Sequence, residues 1–396
     1  MRRVLPVIVI SQFLCTSVWF AGNAVINDII FQLHLAPSYA GYLASAVQFG
    51  FITGTLIFAL LSIADRFSPS LVFCICAVFA AFANLVIVIT GISAFQIILF
   101  RFLTGFFLAG IYPVGMKIAA DHYAEKLGRS LGFLVGALVL GTAFPHLLKG
   151  LTHNLPWKYV IFSTSLLSVF GGLLLYWNVP DGPFRHLGTR LHFSGFLKGF
   201  KNPKFRSVAL AYFGHQWEVY AFWVFIPSMI GLYNSHYPQA GLNIPLLTFG
   251  IIASGCIACI ASGMLAERVG LKKLASLSLM ISGACCIASP LMLLCGSKIL
   301  FVLFLFIWGL TVASDSPLFS TLIAQNAPIG FKGSSLTIVN CIGYCVTIIS
   351  IQLLTALRTD QNAQYIFQVL AIGPVLGVIA LLRDRIKRRY GRSLAA

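Results

Sequence analysis

Long runs of apolar residues, separated by short polar or charged segments, recur from one end of the chain to the other. A helix needs about 20 mostly apolar residues to cross the hydrocarbon core of a membrane. The pattern predicts twelve spanning helices, which we number spans 1 to 12: 4–27, 39–64, 70–91, 94–119, 129–149, 158–179, 206–232, 246–266, 273–295, 298–324, 333–356 and 364–383. Most connections are short, and the one long connection, residues 180–205, separates two groups of six.

Composition supports a membrane protein. Apolar residues make up 59% of the 396 residues and charged residues only 9%, with a mean hydropathy of +0.91, whereas soluble domains carry about 25% charged residues. So few charges cannot cover a soluble surface, so we expect an all-α integral membrane protein and exclude a soluble enzyme. The ten cysteines all fall in apolar runs, which is typical of buried thiols rather than of a metal site or a disulfide framework.

Positive charges predict how the chain sits in the membrane, because cytoplasmic loops are enriched in Lys and Arg. With the N-terminus in the cytoplasm, 22 basic residues fall on the inner side, beginning with Arg2 and Arg3, and four fall on the outer side. We therefore expect a multi-pass protein of the inner (plasma) membrane with both termini cytoplasmic. The first apolar run is long enough to be an uncleaved span rather than a signal peptide. The net charge of +17 then indicates contact with an anionic inner leaflet, and we expect no nucleic-acid partner.

The long connection divides the chain. We predict a six-helix half at 1–180, a basic cytoplasmic linker at 181–205, a second half at 206–383 and a basic tail at 384–396. Within the linker, four apolar residues share one helical face beside lysines: Phe193, Phe196, Leu197 and Phe200. This pattern fits either an amphipathic helix on the inner leaflet or an ordinary basic tether.

The two halves repeat each other at offsets of 202 to 205 positions. The loop after span 2 matches the loop after span 8, and Gly105 and Pro113 of span 4 match Gly309 and Pro317 of span 10. The remaining matches are Gly128–Leu131 with Gly333–Leu336, Gln12 with Gln216, and Trp19 with Trp223. Two related six-helix halves are the physical basis of alternating access, in which a central site opens to one side of the membrane at a time.

The loop after span 8 carries the pattern Gly263-x-x-x-Glu267-Arg268-x-Gly270-x-Lys272-Lys273. With this motif the chain resembles the major facilitator superfamily of secondary transporters over essentially its whole length. The resemblance implies a conformational latch, in which the acid caps a neighbouring helix start and pairs with basic side chains. In the equivalent first loop only Asp65 and Arg66 remain, which leaves open whether that loop still acts as a latch.

Two other stretches resemble parts of this family. Arg101-x-x-x-Gly105 in span 4 is similar to a pattern whose arginine lies near the proton-coupling machinery, and residues 214–223 resemble bacterial facilitators grouped as nitrate/nitrite- or cyanate-transporter-like. The glycines of span 5 loosely resemble drug/proton antiporters, but close helix packing explains them better.

Ionisable groups inside a membrane are costly and mark candidate sites. Glu218 lies near the middle of span 7 and His215 precedes it by three positions, so both lie on one helical face. Burial disfavours a charged carboxylate and a neighbouring histidinium favours it, so the pair could load and release a proton near neutral pH. The alternative is a satisfied polar pair that joins helices; a metal site needs more ligands than these two.

Asp315 and Arg101 are the other intramembrane charges. Asp315 stands two positions before Pro317, where freed backbone carbonyls beside a carboxylate suit a cation or a hydroxylated ligand, or where the Asp simply caps a kink. Arg101 could attract an anion, pair with an acid or reach the surface; we favour a role in coupling or structure. Further residues could line a central site or serve only in packing: Gln12, Trp19, Asn23, Tyr112, Trp217, Tyr220 and Trp223.

We therefore expect a monomeric secondary active transporter of a small polar or charged solute, driven by protons or by sodium and needing no other cofactor. Neither a phosphate-binding loop for ATP nor a zinc-protease pattern occurs, so an enzyme is not expected. Uptake and efflux, including a proton-driven drug or siderophore-type exporter, stay open, as does a non-transporting receptor of the same fold.

Overall fold

The computed structural model describes residues 4–123, 127–152, 155–185, 193–328 and 331–393, with side chains for all of these except 127–129, 193–196 and 384–393. This described part is helical throughout and holds no strand. Arg2, Arg3 and linker residues 186–192 lie outside it, so the predictions made for them are not addressed by the structure.

The helices follow the predicted spans closely. Span 1 consists of three pieces, Val4–Thr16, Ala21–Ala24 and Ile26–Leu33, and spans 4 and 10 of two pieces each, Ala94–Leu108 with Tyr112–His122 and Lys298–Ser314 with Ser316–Asn326. The others are Tyr39–Leu60, Pro69–Val86, Leu127–Leu151, Lys158–Asn178, Pro203–His236, Ile244–Val269, Leu271–Leu293, Lys332–Leu357 and, for span 12, a 3-10 turn Ile366–Ala371 followed by Ile372–Ser393. A short helix, Ile63–Arg66, follows span 2, another, Phe193–Lys201, precedes span 7, and a 3-10 turn, Pro238–Ala240, follows span 7. The protein is an all-α, multi-pass integral membrane protein, as predicted.

Ten of the described spans are long and apolar enough to cross a membrane by length and composition alone; spans 1 and 7 are not among them. Span 1 is divided by its breaks, and its longest piece has 13 residues. Span 7 has 34 residues but carries His215, Gln216 and Glu218, all of which are buried in the protein rather than facing lipid. In both exceptions the polar features lie inside the protein rather than against lipid.

The broken helices of spans 4 and 10 confirm the paired interruptions. Pro113 and Pro317 each stand in the first turn of the second piece, where a missing backbone N–H costs nothing. The two halves therefore repeat each other in structure at the matched prolines of spans 4 and 10.

The largest contacts between spans 1–6 and spans 7–12 are those of span 5 with span 8 and of span 2 with span 11. A Cβ on Gly136 would lie 3.2 Å from the carbonyl oxygen of Cys256, and one on Gly41 only 2.3 Å from Thr355 Oγ1. The Gln352 side chain also donates to Ser45 Oγ at 2.7 Å. The glycines of span 5 thus act in close packing, the favoured interpretation of them.

The helical structure of the second half continues beyond both of its predicted ends. The linker segment Phe193–Lys201 is helical, and its Leu197 is exposed while Gly199 is buried beside Phe205 and Pro328. The helix of span 12 continues to Ser393, ten residues past the predicted end, so most of the basic tail prolongs that span. We call the membrane face that carries the loops 61–68 and 266–273 the basic face; it is the predicted cytoplasmic side.

Candidate functional site

A small central cavity lies where the two halves meet. Its volume is about 40 Å³, room for no more than a few water molecules. Spans 4, 5, 7, 10 and 11 all contribute to its lining, which includes Tyr112, Leu138, Tyr212, His215, Gln216, Tyr220, Trp223, Ser316, Ser320, Asn340 and Tyr344. Four of the predicted site residues, Tyr112, His215, Tyr220 and Trp223, are therefore brought together here.

His215 links the cavity to Asp315. The Nδ1 atom of His215 lies 2.9 Å from Oδ1 of Asp315, and its Nε2 atom lies 2.9 Å from the hydroxyl of Ser316. Asp315 is buried at the break of span 10, and His215 is 2% exposed. The Ser316 hydroxyl can donate to the Nε2 atom or accept from it, depending on the tautomer of His215.

Glu218 faces away from His215 and into the second half. Its Oε1 accepts a hydrogen bond of 2.6 Å from the Trp308 indole and one of 3.3 Å from the Cys286 thiol, and its Oε2 accepts one of 2.8 Å from Ser282. Three positions along a helix turn the side chain by about 300°, so the two residues of the predicted pair stand about 60° apart and find different partners. His215 pairs with Asp315 instead.

The Ser282 hydroxyl gives Glu218 an alternative arrangement. It lies 2.8 Å from Glu218 Oε2 and 3.3 Å from the carbonyl oxygen of Leu279. If Glu218 binds a proton, it can donate to Ser282 while Ser282 donates to Leu279. Both charge states of this carboxyl therefore have hydrogen-bond partners without any movement of the helices.

Two residues of the cavity wall, Tyr212 and Tyr344, were not predicted from the sequence. Tyr212 donates to Asn340 Oδ1 at 2.9 Å and also accepts a hydrogen bond from Gln216. The hydroxyls of Tyr220 and Tyr344 lie 2.8 Å apart. Tyr212 and Tyr344 were missed because an aromatic residue in an apolar run is usually a packing residue. The nearby signals were the predicted Tyr220 and the repeat match of Gln216 with Gln12.

Aromatic rings join the halves next to the cavity. Trp19 stacks on Tyr220 and Tyr344 with ring centroids 5.9 and 6.0 Å apart. Phe20 contacts Trp223 at 6.3 Å, and Phe51 contacts Tyr344 at 4.7 Å. Trp19 and Trp223, matched by the repeat, thus lie in one cluster, contributed by spans 1, 2, 7 and 11.

Several buried polar atoms at this interface have no protein partner within the described residues. They are the side-chain amides of Gln12 and Gln48, the Gln216 oxygen, and the indole N–H groups of Trp19 and Trp223. Gln12 Oε1 lies next to Gly115 of span 4, where a Cβ would approach it to 2.3 Å. Buried polar groups need partners, so a polar ligand or water has hydrogen bonds to gain here.

Arg101 is fully buried but bound to the backbone of span 1. Its guanidinium donates to the carbonyl oxygens of Val18, at 3.1 Å, and of Trp19, and to Asn84 Oδ1 at 3.0 Å. These carbonyls lie where the helix Val4–Thr16 has ended, so the cation satisfies groups that the break leaves free. No described carboxylate lies within ion-pair distance of Arg101.

Trp217 and Asn23 lie outside the central cavity. Trp217 donates its indole N–H to the carbonyl oxygen of Val369 at 3.1 Å and lines a different cleft, between spans 7 and 12. Asn23 belongs to the four-residue helix in the break of span 1. Among the described residues, no three His, Cys, Asp or Glu side chains are close enough to share a metal ion.

The two loops that the resemblance marks as latches differ in their contacts. Asp65, in the loop whose motif is incomplete, forms an ion pair, whereas Glu267 and Arg268, in the loop whose motif is nearly complete, form none with a described residue. In the first loop Asp65 pairs with Lys117 at 2.9 Å, and Arg185 donates to the backbone carbonyls of Asp65 and Phe67; Arg66 is exposed. In the second loop Glu267 and Arg268 are exposed and form no ion pair with a described residue. Of the other motif residues, Gly263 lies inside the helix of span 8, and Lys272 and Lys273 lie at the start of the helix of span 9. Gly270 joins the two helices with a φ of +93° that favours glycine.

Comparison with known proteins identifies the architecture. The family model described as Major Facilitator Superfamily matches residues 8–351. A crystal structure of a mutant of the nucleoside transporter NupG superimposes with a TM-score of 0.70 over 96% of this chain and 99% of that chain, at 14% identity. At such an identity the likeness concerns the fold alone.

Curated relatives match a smaller part. YgaY, an uncharacterized transporter, is 25% identical over 184 residues in Escherichia coli (strain K12) and 26% identical over 184 residues in Escherichia coli O157:H7. In each case the match covers 44% of this chain and spans 45% of the length of the relative.

Proposed function

Because this chain belongs to the Major Facilitator Superfamily and is a transporter rather than an enzyme, we propose that it moves a small polar solute across the membrane by alternating access, coupled to protons. The observation that carries the proposal is the buried His215–Asp315 pair, 2.9 Å between nitrogen and oxygen, at the wall of the central cavity. We place the protein in the inner membrane with its basic face in the cytoplasm.

The His215–Asp315 pair is suited to coupling because the cavity touches it. A proton can reach His215 from the cavity side, and the Ser316 hydroxyl can donate to the ring or accept from it. A solute in the cavity that bonds to His215 or Ser316 competes with that arrangement. Binding of solute and of proton are thereby linked, which is what coupling requires.

Glu218 is a second candidate for the proton site. It lies in the same half as His215 and Asp315. Its oxygens accept hydrogen bonds from three donors and contact no described cation, and the hydrogen bond between Glu218 and Ser282 can change direction. It does not line the cavity, so its protonation would depend on the conformation of spans 7, 9 and 10 and not on direct contact with the solute.

The cavity chemistry favours an uncharged or cationic solute. Arg101, a fully buried cation of the first half, is already bound by carbonyl oxygens, so it offers an anion little. The groups that remain are amides, indole N–H groups, hydroxyls and one carboxylate. These suit a hydroxylated or amide-bearing organic molecule stacked on aromatic rings better than nitrate or cyanate.

The cavity of about 40 Å³ is too small for such a solute, so the halves must separate to admit one. The contacts that would part are those of the aromatic cluster formed by Trp19, Phe20, Phe51, Tyr220, Trp223 and Tyr344. Rocking of one half against the other is the motion that the repeated architecture allows.

The test is internal pH in proteoliposomes that contain the purified protein. We would add, one at a time, nucleosides, sugars, amino acids, organic cations and iron chelates, with nitrate and cyanate as anionic controls. A pH change triggered by an uncharged or cationic solute, with the imposed proton gradient driving its accumulation, is the expected result. If a sodium gradient alone drives accumulation, proton coupling is wrong; if the anions alone respond, the solute class is wrong.

Two variants locate the proton site. Asp315→Asn should abolish proton-driven accumulation while solute exchange continues, and Glu218→Gln tests the second candidate in the same assay. Thr311→Val, on the same helix as Trp308 but away from both carboxyls, is the matched control. If both carboxyl variants accumulate solute normally, the proton binds elsewhere.

The direction of transport follows from the same measurement. A solute added outside that enters together with protons acidifies the vesicle interior, whereas one that enters in exchange for protons makes the interior alkaline, which is the signature of a proton-driven exporter. An exporter of drugs or siderophore-type chelates is the alternative function, and it would be favoured if only bulky organic cations or iron chelates produce a signal.

A further inference from the structure

A second and much larger cleft lies on the outer surface of the second half, between spans 7 and 12. Its volume is about 960 Å³, and it is distinct from the central cavity, since residues of opposite faces of span 7 line the two. Leu210, Leu376 and Ile379 line its walls and are 44%, 59% and 52% exposed. In a membrane these positions face acyl chains rather than water.

The cleft is closed at its deep end. A Cβ on Gly214 would lie 2.2 Å from the carbonyl oxygen of Gly373, so the two helices are in backbone contact there. Trp217 completes this end through its hydrogen bond to Val369. Its opposite end lies at the basic face, where span 7 begins at Pro203.

Three cations line the open end: Lys204 and Arg206 at the start of span 7 and Arg383 on span 12. All three are exposed, and none of the described side chains that line the cleft is acidic. Lys204 and Trp217 are thirteen residues apart, which is about 20 Å of helix at 1.5 Å per residue. One leaflet is about 20 Å thick when its headgroup region is included with half of the hydrocarbon core, so the cleft reaches through one leaflet and no further.

We propose that this cleft is a binding site for an anionic phospholipid of the leaflet at the basic face. Lys204, Arg206 and Arg383 bind the headgroup phosphate, and an acyl chain lies between Leu210 and Leu376 with its end near Trp217. Basic pockets between spanning helices at the cytoplasmic side are a known physical basis for recognising anionic headgroups. A free phosphate would use the cations only and would leave the apolar walls of the cleft of about 960 Å³ without a partner, whereas an acyl chain would cover them.

The site also has a consequence for motion. The lipid contacts span 7 on the face that carries Leu210 and Gly214, while His215 faces the central cavity from the other side of the same helix. A bound lipid therefore joins spans 7 and 12 into one body and stabilises the second half as a unit.

Native mass spectrometry of the purified, delipidated full-length protein tests the proposal. Phosphatidylglycerol and phosphatidylcholine of the same chain length are titrated separately, and thermal unfolding is followed in parallel. We expect a bound phosphatidylglycerol that persists at collision energies which remove phosphatidylcholine, and a rise in Tm with phosphatidylglycerol only. Equal retention of both lipids would overturn the proposal.

Three variants separate the headgroup from the chain. Lys204→Gln/Arg206→Gln should weaken phosphatidylglycerol at least tenfold, while Lys273→Gln/Lys332→Gln, which removes two exposed charges elsewhere on the basic face, should leave its binding unchanged. Leu376→Trp fills the cleft without altering charge and should weaken binding as well. If glycerol 3-phosphate displaces the lipid or binds equally well, the site is a phosphate site and not a lipid site.

A second measurement does not depend on the charge variants. Phosphatidylglycerol with brominated acyl chains should quench the fluorescence of Trp217 at the deep end of the cleft. Trp217→Phe should remove that part of the quenching and leave the quenching of exposed Trp177 in place. Quenching that is identical in the two proteins would show that no chain reaches the cleft.

Discussion

The polar centres of the two halves differ although their helices repeat each other. In spans 1–6 the buried charge is Arg101, held by the backbone carbonyls of Val18 and Trp19. In spans 7–12 the buried charges are Glu218 and Asp315, met by hydroxyl, thiol, indole and imidazole groups. One half thus fixes its charge on the main chain, and the other surrounds its charges with side chains that can rearrange.

This difference assigns different tasks to the two halves. A guanidinium stays protonated in proteins, and carbonyl oxygens cannot exchange protons with it, so Arg101 maintains the shape of the broken span 1. Carboxyl, imidazole and hydroxyl groups can change charge or reverse a hydrogen bond. We infer that the first half supplies a rigid wall and the second half the titrating groups.

The largest effect should follow from removing the fixed charge. Arg101→Met leaves three buried acceptors without their donor, and an orphaned buried acceptor costs about 1–3 kcal/mol. We therefore expect a loss of at least about 3 kcal/mol in stability, seen as a large fall in Tm in detergent. Arg101→Lys keeps the charge but offers fewer hydrogen-bond donors, so its Tm should lie between those of the parent protein and of Arg101→Met. A methionine variant that melts like the parent but does not transport would show that Arg101 acts in transport itself.

The next comparison concerns the matched glycines of spans 4 and 10. A Cβ on Gly105 would lie 1.8 Å from the carbonyl oxygen of Val47, whereas one on Gly309 would lie 2.6 Å from that of Ile251. Both helices must move to admit a methyl group, and overpacking costs about 1–3 kcal/mol. We expect Gly105→Ala to lower the Tm more than Gly309→Ala. Equal Tm values would mean that the first half adjusts as easily as the second.

The smallest effect should come from the latch loops. Asp65 pairs with Lys117 at 2.9 Å, with both side chains about a fifth exposed, and such a pair contributes at most about 1 kcal/mol. Asp65→Asn should therefore lower the Tm slightly, while Glu267→Gln, which breaks no ion pair with a described residue, should leave it unchanged. A larger fall in Tm for Glu267→Gln would show that Glu267 makes a stabilising contact in solution.

Much of the architecture could be read from the order of apolar and polar residues. A membrane span must satisfy its own backbone hydrogen bonds, so it has to be helical and of a certain length, and twelve apolar runs predict the spans almost directly. The breaks at Pro113 and Pro317 followed from proline chemistry and from the repeat. The break in span 1 contains no proline. It is stabilised by Arg101, which belongs to span 4. The sequence near residue 18 therefore gives no sign of it.

The candidate site divides in the same way. Sequence identified His215, Glu218 and Asp315 as costly groups that need partners, because a charge in a membrane is recognisable without any neighbour. It could not say that His215 meets Asp315 or that Trp217 points to the opposite side of span 7, because a difference of one or two positions rotates a side chain by about 100° or 200°. Which neighbour it then meets depends on another helix.

By itself, then, the sequence determined a twelve-span helical membrane protein with a repeated plan and three unusual groups in the second half, since solvation in a bilayer acts on each segment separately. Only the tertiary structure decided which of these groups form pairs, that Arg101 binds backbone carbonyls, and that Trp19 and Phe20 close on Tyr220 and Trp223. Those outcomes depend on distances between spans far apart in the chain, and the composition of a single span holds no information about them.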